Sequence, residues 1–283
     1  MKIEKILVGI DFGPATESII TYASTFARAM NASLNLLHVL DYIVTPPAYL
    51  EPYIEEEKNV AVNNFDILKR QLTDAGIKTQ TEITVGRLHE SFDTALRKIH
   101  ADMLILGFIA HTFRRSSSEK LVKGLQMPML VVSGEKAKSV KSIPVEIKRI
   151  LCPTDFSEFS RKALNVAKEL GDIFSSKLEI LHVFPDYLIK KMKTPEERER
   201  AMQELHSKAK DNLDQFLRDT DKKNAGIIDR GEPDKRIVAI SKEKDIDLIV
   251  MGARGLGLIK GMLIGSVTDA VMKSSPCPVL IIH

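Results

Sequence analysis

The chain repeats itself. Ile6-Leu7-Val8-Gly9-Ile10-Asp11-Phe12 returns 144 residues later as Ile150-Leu151-Cys152-Pro153-Thr154-Asp155-Phe156. Leu37-His38-Val39 returns as Leu181-His182-Val183 at the same offset. Gly86 pairs with Gly231, and the run from Asp102 to Gly107 pairs with the run from Asp247 to Gly252, both at 145. Met127-Pro128-Met129-Leu130-Val131-Val132 pairs with Cys277-Pro278-Val279-Leu280-Ile281-Ile282 at 150. Five collinear matches define a tandem duplication, so any fold must be one that a half of the chain can adopt. With 283 residues, each half has the length of an ordinary domain. The expected domains are 1–140 and 147–283, joined by a polar, Lys-rich linker over 133–145 that Pro144 ends.

Each half alternates short apolar runs with amphipathic stretches. In the second half the pattern predicts strands over 149–154, 177–183, 225–229, 248–251 and 279–282. Helices are predicted over 161–174, 195–219, 234–244 and 266–274. The strands are rich in Ile, Leu and Val with almost no polar alternation, as befits parallel strands buried on both faces. Strand–helix alternation then gives right-handed crossovers and an open α/β sheet covered by helices. In such a sheet, ligands sit at the carboxyl ends of the strands where the strand order reverses. If strand 1 is central and neighbours strand 4, Pro153-Thr154-Asp155 and Gly252-Ala253-Arg254-Gly255 face one crevice.

Composition excludes several classes. Net charge is +3, from 41 basic and 38 acidic residues, with the signs interleaved, so there is no nucleic-acid footprint. No apolar run approaches the roughly 18 residues of a membrane span, and no leader pattern is seen, so a cytoplasmic location is expected. Cys152 and Cys277 fall inside apolar runs and read as small core hydrophobes. No His/Cys cluster has zinc spacing and no nucleophile elbow is present, so no metal ligand or catalytic residue is assigned. His38 and His182 read as structural histidines at strand ends, and Ser157 as a cap for the following helix.

One motif carries chemistry. Gly252, Gly255, Gly265 and Ser266 form Gly-x2-Gly-x9-Gly-Ser directly after the apolar run ending at Met251. Glycines permit positive φ and close approach of the backbone to an anion. The N–H groups opening the next helix then point at that anion, with the helix dipole behind them. A Walker A loop is excluded because Lys260-Gly261 has the wrong order, and the dinucleotide fingerprint fails on glycine spacing.

An Asp closing strand 1, Leu-His-Val closing strand 2, and this glycine motif after strand 4 together resemble the universal stress protein family. The resemblance spans nearly the whole chain as two consecutive domains, and the motif marks the ATP-binding branch. It implies a flavodoxin-like, Rossmann-like five-stranded sheet of order 3-2-1-4-5 in each half, and binding of ATP or AMP. Carried over by position, Pro153, Thr154 and Asp155 would lie against the adenosine, and Val183 would offer backbone contacts to adenine. Met251, Gly252, Arg254 and Gly255 would wrap the ribose and α-phosphate. Gly265, Ser266, Val267 and Thr268 would bind the phosphates, which could hold Mg²⁺ or Mn²⁺ with few protein ligands. The first half departs from this pattern. Gly107 to Pro128 spans 21 residues against 26 from Gly252 to Pro278, and Arg115-Ser116 stands where Gly265-Ser266 does. The first half is therefore expected to bind no nucleotide in the family manner.

The function implied is a nucleotide-dependent regulator in stress response with an unknown protein partner. The competing reading, a slow ATP hydrolase or nucleotidyl-transfer enzyme, ranks second because Arg254 alone could serve as an arginine finger and no general base is evident. The uncharged last strands, 129–132 and 279–282, are expected to pair with each other, giving an intramolecular pseudo-dimer open to further homodimerisation.

Overall fold

A computed structural model describes residues 2–41, 50–108, 117–133, 145–187, 189, 192–218, 225–257 and 263–283. Most of the expected linker falls outside these residues. The chain divides into two units, Met1–Val145 and Glu146–His283. Among the described residues no helix is long and apolar enough to cross a membrane.

The first unit runs β1 (Lys5–Gly9), α1 (Thr16–Met30), β2 (Ser33–Asp41), α2 (Glu51–Asp74), β3 (Thr79–Gly86), α3 (Leu88–Ile99), β4 (Met103–Phe108), α4 (Ser117–Gly124) and β5 (Met129–Ser133). Its strands are parallel neighbours in the order β3-β2-β1-β4-β5. The second unit runs β6 (Arg149–Pro153), α5 (Glu158–Phe174), β7 (Lys177–Phe184), α6 (Pro195–Phe216), β8 (Ala225–Arg230), α7 (Pro233–Glu243), β9 (Leu248–Gly252), α8 (Ser266–Ser274) and β10 (Val279–Ile282). Here the parallel order is β8-β7-β6-β9-β10. Strands β9 and β10 are buried at every residue, in keeping with their unbroken apolar sequence.

The matched residues do matched jobs. Asp102 accepts the Glu4 and Lys5 backbone N–H groups at 2.8 and 2.9 Å, tying the start of β4 to the start of β1. Asp247 does the same for Lys148 and Arg149 at 2.9 and 3.0 Å. His38 and His182 lie 2.7 and 2.8 Å from the carbonyls of Ile10 and Thr154 through Nδ1. A carbonyl only accepts, so Nδ1 carries the proton in both. Phe12 and Phe156 occupy left-handed backbone, φ 55° and 67°, and pack on these same imidazoles at 4.9 and 4.3 Å.

One helix start and one helix end differ from the expected bounds. Helix α5 begins at Glu158 rather than 161, because Ser157 caps it by accepting the Ser160 N–H at 3.2 Å. Helix α6 opens on a capping box between Thr194 and Glu197 and stops at Phe216 rather than 219.

A buried carboxylate sits on β7. Glu179 is 1% exposed, with Lys177 Nζ at 2.8 Å and Lys244 Nζ at 3.1 Å. Burial works to raise its pKa, but the two ammonium groups outweigh it and hold it below its ordinary 4.5. A depressed folded-state pKa contributes stability above the unfolded value, and that stability is lost as pH falls through the folded one. The parent is thus expected to exceed Glu179→Gln in urea stability at pH 7, with the gap shrinking below about pH 4. A gap independent of pH would contradict this pairing.

Candidate functional site

The loop after β6 is built from its own side chains. Thr154 is buried. Its N–H donates to the Leu181 carbonyl at 2.8 Å, and its Oγ1 accepts the Phe156 N–H at 3.0 Å. Its carbonyl accepts from His182, so both faces of the residue serve the loop. Burial also pushes the His182 pKa down, outweighing the raising effects of the Thr154 carbonyl and Asp155. Pro153, opposite Leu181 in the ladder, is buried as well. The left-handed turn at Phe156 leaves Asp155 half-buried at the strand's carboxyl end.

Asp155 joins two loops. One carboxylate oxygen accepts the Ser157 N–H at 3.1 Å, and the other accepts the Leu256 N–H at 2.8 Å from 101 residues away. Gly255 makes that approach possible: a Cβ there would sit 2.2 Å from the Asp155 oxygen.

The loop after β9 is held from below. Ala253 N–H donates to the Ile282 carbonyl, and Gly265 N–H donates to the Ala253 carbonyl, each at 2.7 Å. Arg254 Nε reaches the Leu263 carbonyl at 3.4 Å, with its guanidinium 5.5 Å from the centre of the Phe159 ring. Gly265 is the N-cap of α8 and has no side chain to cap it, leaving first-turn N–H groups without an intrahelical acceptor. Ser266 is exposed and Val267 half-buried beside them. The Thr268 hydroxyl turns inward and donates to the Gly252 carbonyl at 2.9 Å.

Asp155, Arg254, Gly255, Gly265 and Ser266 therefore come together where the loops after β6 and β9 meet. Others in the expected set do not open onto that junction. Pro153, Thr154, Met251, Gly252 and Thr268 are buried among protein atoms. Val183, also buried, lies past the last β6–β7 pair, Pro153 with Leu181, at the carboxyl end of β7.

The motif glycines do not act through left-handed backbone. Positive φ among the described glycines occurs at Gly76, Gly86 and Gly231. Gly252 is needed for packing: a Cβ would lie 2.8 Å from the Phe159 carbonyl carbon on α5. Its counterpart Gly107 likewise packs on α1, with Ile19 Cδ1 at 2.6 Å from the added Cβ. Gly265 is different. Its φ of −75° and ψ of 157° suit any residue, and among the described residues an added Cβ meets nothing nearer than 3.5 Å.

His283, which the sequence reading passed over, belongs beside this junction. Ile282 pairs with Gly252 and its carbonyl accepts the Ala253 N–H, which brings His283 to the start of the loop that carries Arg254. Burial, and then the Arg254 charge, push its pKa down to about 4, so the ring is neutral near pH 7. Arg254 carries positive charge there, and Lys162 lies over the same Phe159 ring at 5.3 Å. In the first unit, Asp11 accepts the Gly13 N–H at 2.9 Å. The segment that would face it, with Arg114, Arg115 and Ser116, lies outside the described residues. Among the described residues no group of three or more His, Cys, Asp or Glu is placed to hold a metal ion.

Comparison with known proteins places these features. A universal stress protein of Methanocaldococcus jannaschii is 35% identical over 155 residues, covering 49% of this chain and 96% of the relative. One from Mycolicibacterium smegmatis is 25% identical over 294 residues, 98% of this chain and 96% of the relative. The crystal structure of a universal stress protein from Archaeoglobus fulgidus matches with TM-score 0.69 at 20% identity, covering 99% of this chain and 96% of the other, a likeness of fold. The description "Universal stress protein family" matches residues 2–133 and again 146–283. The chain belongs to the universal stress protein family, as two consecutive copies of its domain.

Proposed function

We propose that the second unit binds one adenine nucleotide, ATP or AMP, and that the chain acts as a nucleotide-dependent regulator. One observation carries this reading. Gly252 and Gly107 recur in both repeats because each packs on a helix, whereas Gly265 occurs only in the second, and among the described residues no atom comes close enough to require a glycine there. A bare α-carbon at a helix N-terminus, beside Arg254, suits an anion that must approach the backbone closely. Ser266 would add a hydroxyl donor, and Asp155 would recognise the nucleoside end. A divalent ion, Mg²⁺ or Mn²⁺, would rest on the nucleotide's own phosphates.

Regulation follows from the link between the loops. The Leu256 N–H occupies one oxygen of Asp155, so a nucleoside taking that oxygen would release and reorder the loop beyond Gly255. The enzyme reading ranks second: the carboxylate where the loops meet already accepts two N–H groups and stands in no position assigned to a base. The test is mass spectrometry of small molecules released when the purified protein is denatured. An adenine nucleotide is expected; a guanine nucleotide or a flavin in its place would overturn the assignment.

A further inference from the structure

Helix α2 carries a second apolar face that no described residue covers. Its inward face is Ile54, Ala61, Phe65 and Leu72, all buried. Yet Tyr53, Val60 and Ile67 are 64%, 56% and 52% exposed. At 3.6 residues per turn a seven-residue spacing drifts only about 20°, so these three form one stripe roughly 21 Å long. Val62, also exposed, lies on the opposite flank of the buried face. The corresponding helix of the second unit, α6, contributes none of the large exposed apolar side chains among the described residues. It presents charge instead, with Glu196, Glu199, Arg200, Glu204 and Lys208 exposed. The stripe is therefore a property of one repeat, not a demand of the fold.

We propose that a second copy of this chain packs on the stripe, helix against helix and antiparallel, centred on Val60. The spacing is self-complementary about that residue. Tyr53 meets Ile67 of the second copy, Val60 meets its own counterpart, and Ile67 meets Tyr53 of the second copy. The flanking polar residues decide the direction. Glu56 and Glu57 border one end of the stripe, Asn63 and Asn64 the middle, and Arg70 and Gln71 the other end. Parallel packing sets Glu56 against Glu56 and Arg70 against Arg70. Antiparallel packing lays the two glutamates along the amide groups of Asn63 and Asn64, and brings Arg70 toward the Glu51 end. Charges bordering an apolar seam set partner and orientation in paired helices. A contact confined to one helix stripe makes association concentration-dependent.

The test uses the full chain. Sedimentation velocity from about 1 to 100 μM should show the mean mass rising toward two chains. Val60→Glu with Ile67→Glu, both at exposed positions, should hold it at one chain with an unchanged circular dichroism spectrum. Orientation is read by mild oxidation of single-cysteine variants, since native Cys152 and Cys277 are buried. Val60→Cys should cross-link to itself. Tyr53→Cys and Ile67→Cys should each fail alone and cross-link when mixed. A parent that stays at single-chain mass with no Val60→Cys cross-link overturns the proposal and leaves the stripe for a different partner. Association that survives the double glutamate variant also overturns it, placing the contact on another face.

Discussion

Gly252→Ala is expected to destabilise the second unit by about 3 kcal/mol, the upper part of the range for overpacking a close-packed interior. The added Cβ would lie 2.8 Å from the Phe159 carbonyl carbon, 2.9 Å from its Cβ and 3.0 Å from its oxygen. Two of these three are backbone atoms of α5, which cannot swing away as a side chain can, so the helix must shift off β9. Gly107→Ala makes the control. There the nearest atom, at 2.6 Å, is the terminal Cδ1 of Ile19, with Ala15 Cβ next at 3.3 Å. A rotamer change relieves that contact, so the cost should be nearer 1 kcal/mol. Hydrogen exchange of the β9 and β4 amides reads each unit separately, which a single melting curve of a two-unit chain does not. An equal or larger loss at Gly107 would show that the backbone contact at Phe159 is not what fixes Gly252.

Gly265→Val combined with Ser266→Ala should lower ATP affinity at least tenfold while leaving the fold intact. The backbone at Gly265 suits any residue, and among the described residues the nearest atom to an added Cβ is Arg254 Cα at 3.5 Å. The branches of valine would project where a phosphate must approach, and the serine change removes a hydroxyl donor. Hydrogen bonds to a charged group contribute roughly 1.5–3 kcal/mol each, and tenfold corresponds to about 1.4. Filter binding with labelled ATP measures the loss, with circular dichroism as the fold control. Undiminished affinity in a folded double variant would place the phosphates elsewhere.

These two glycines show where reading a sequence stops. The duplication, the strand–helix alternation and the meeting of the two loops were legible, because buried parallel strands must be continuously apolar and the repeats agree residue by residue. The role of each glycine was not. Sequence records that a Cβ is missing, but not whether protein backbone or a ligand excludes it, and Gly252 answers one way while Gly265 fits the other. Thr268 was equally opaque: a hydroxyl in the first turn of a helix can face a ligand or a neighbouring carbonyl, and here it meets that of Gly252. Phe156 holds left-handed backbone that few aromatic residues adopt, fixed by its stacking on His182, which no local pattern signals. His283 was missed because its place at the loop that carries Arg254 depends on the register of β10 with β9. The capping box of Thr194 and Glu197, by contrast, stood in the sequence to be read.

The asymmetry between the repeats is the centre of the account, and calorimetric titration of the full chain with ATP tests it most directly. The intact glycine motif occurs once; the loop after Gly107 in the first repeat is five residues shorter, and Arg115-Ser116 stands where Gly265-Ser266 does. The expected stoichiometry is close to one ATP per chain, with affinity at least tenfold lower in the Gly265→Val, Ser266→Ala variant. Two equivalent sites per chain, or a single site whose affinity that variant leaves unchanged, would contradict it.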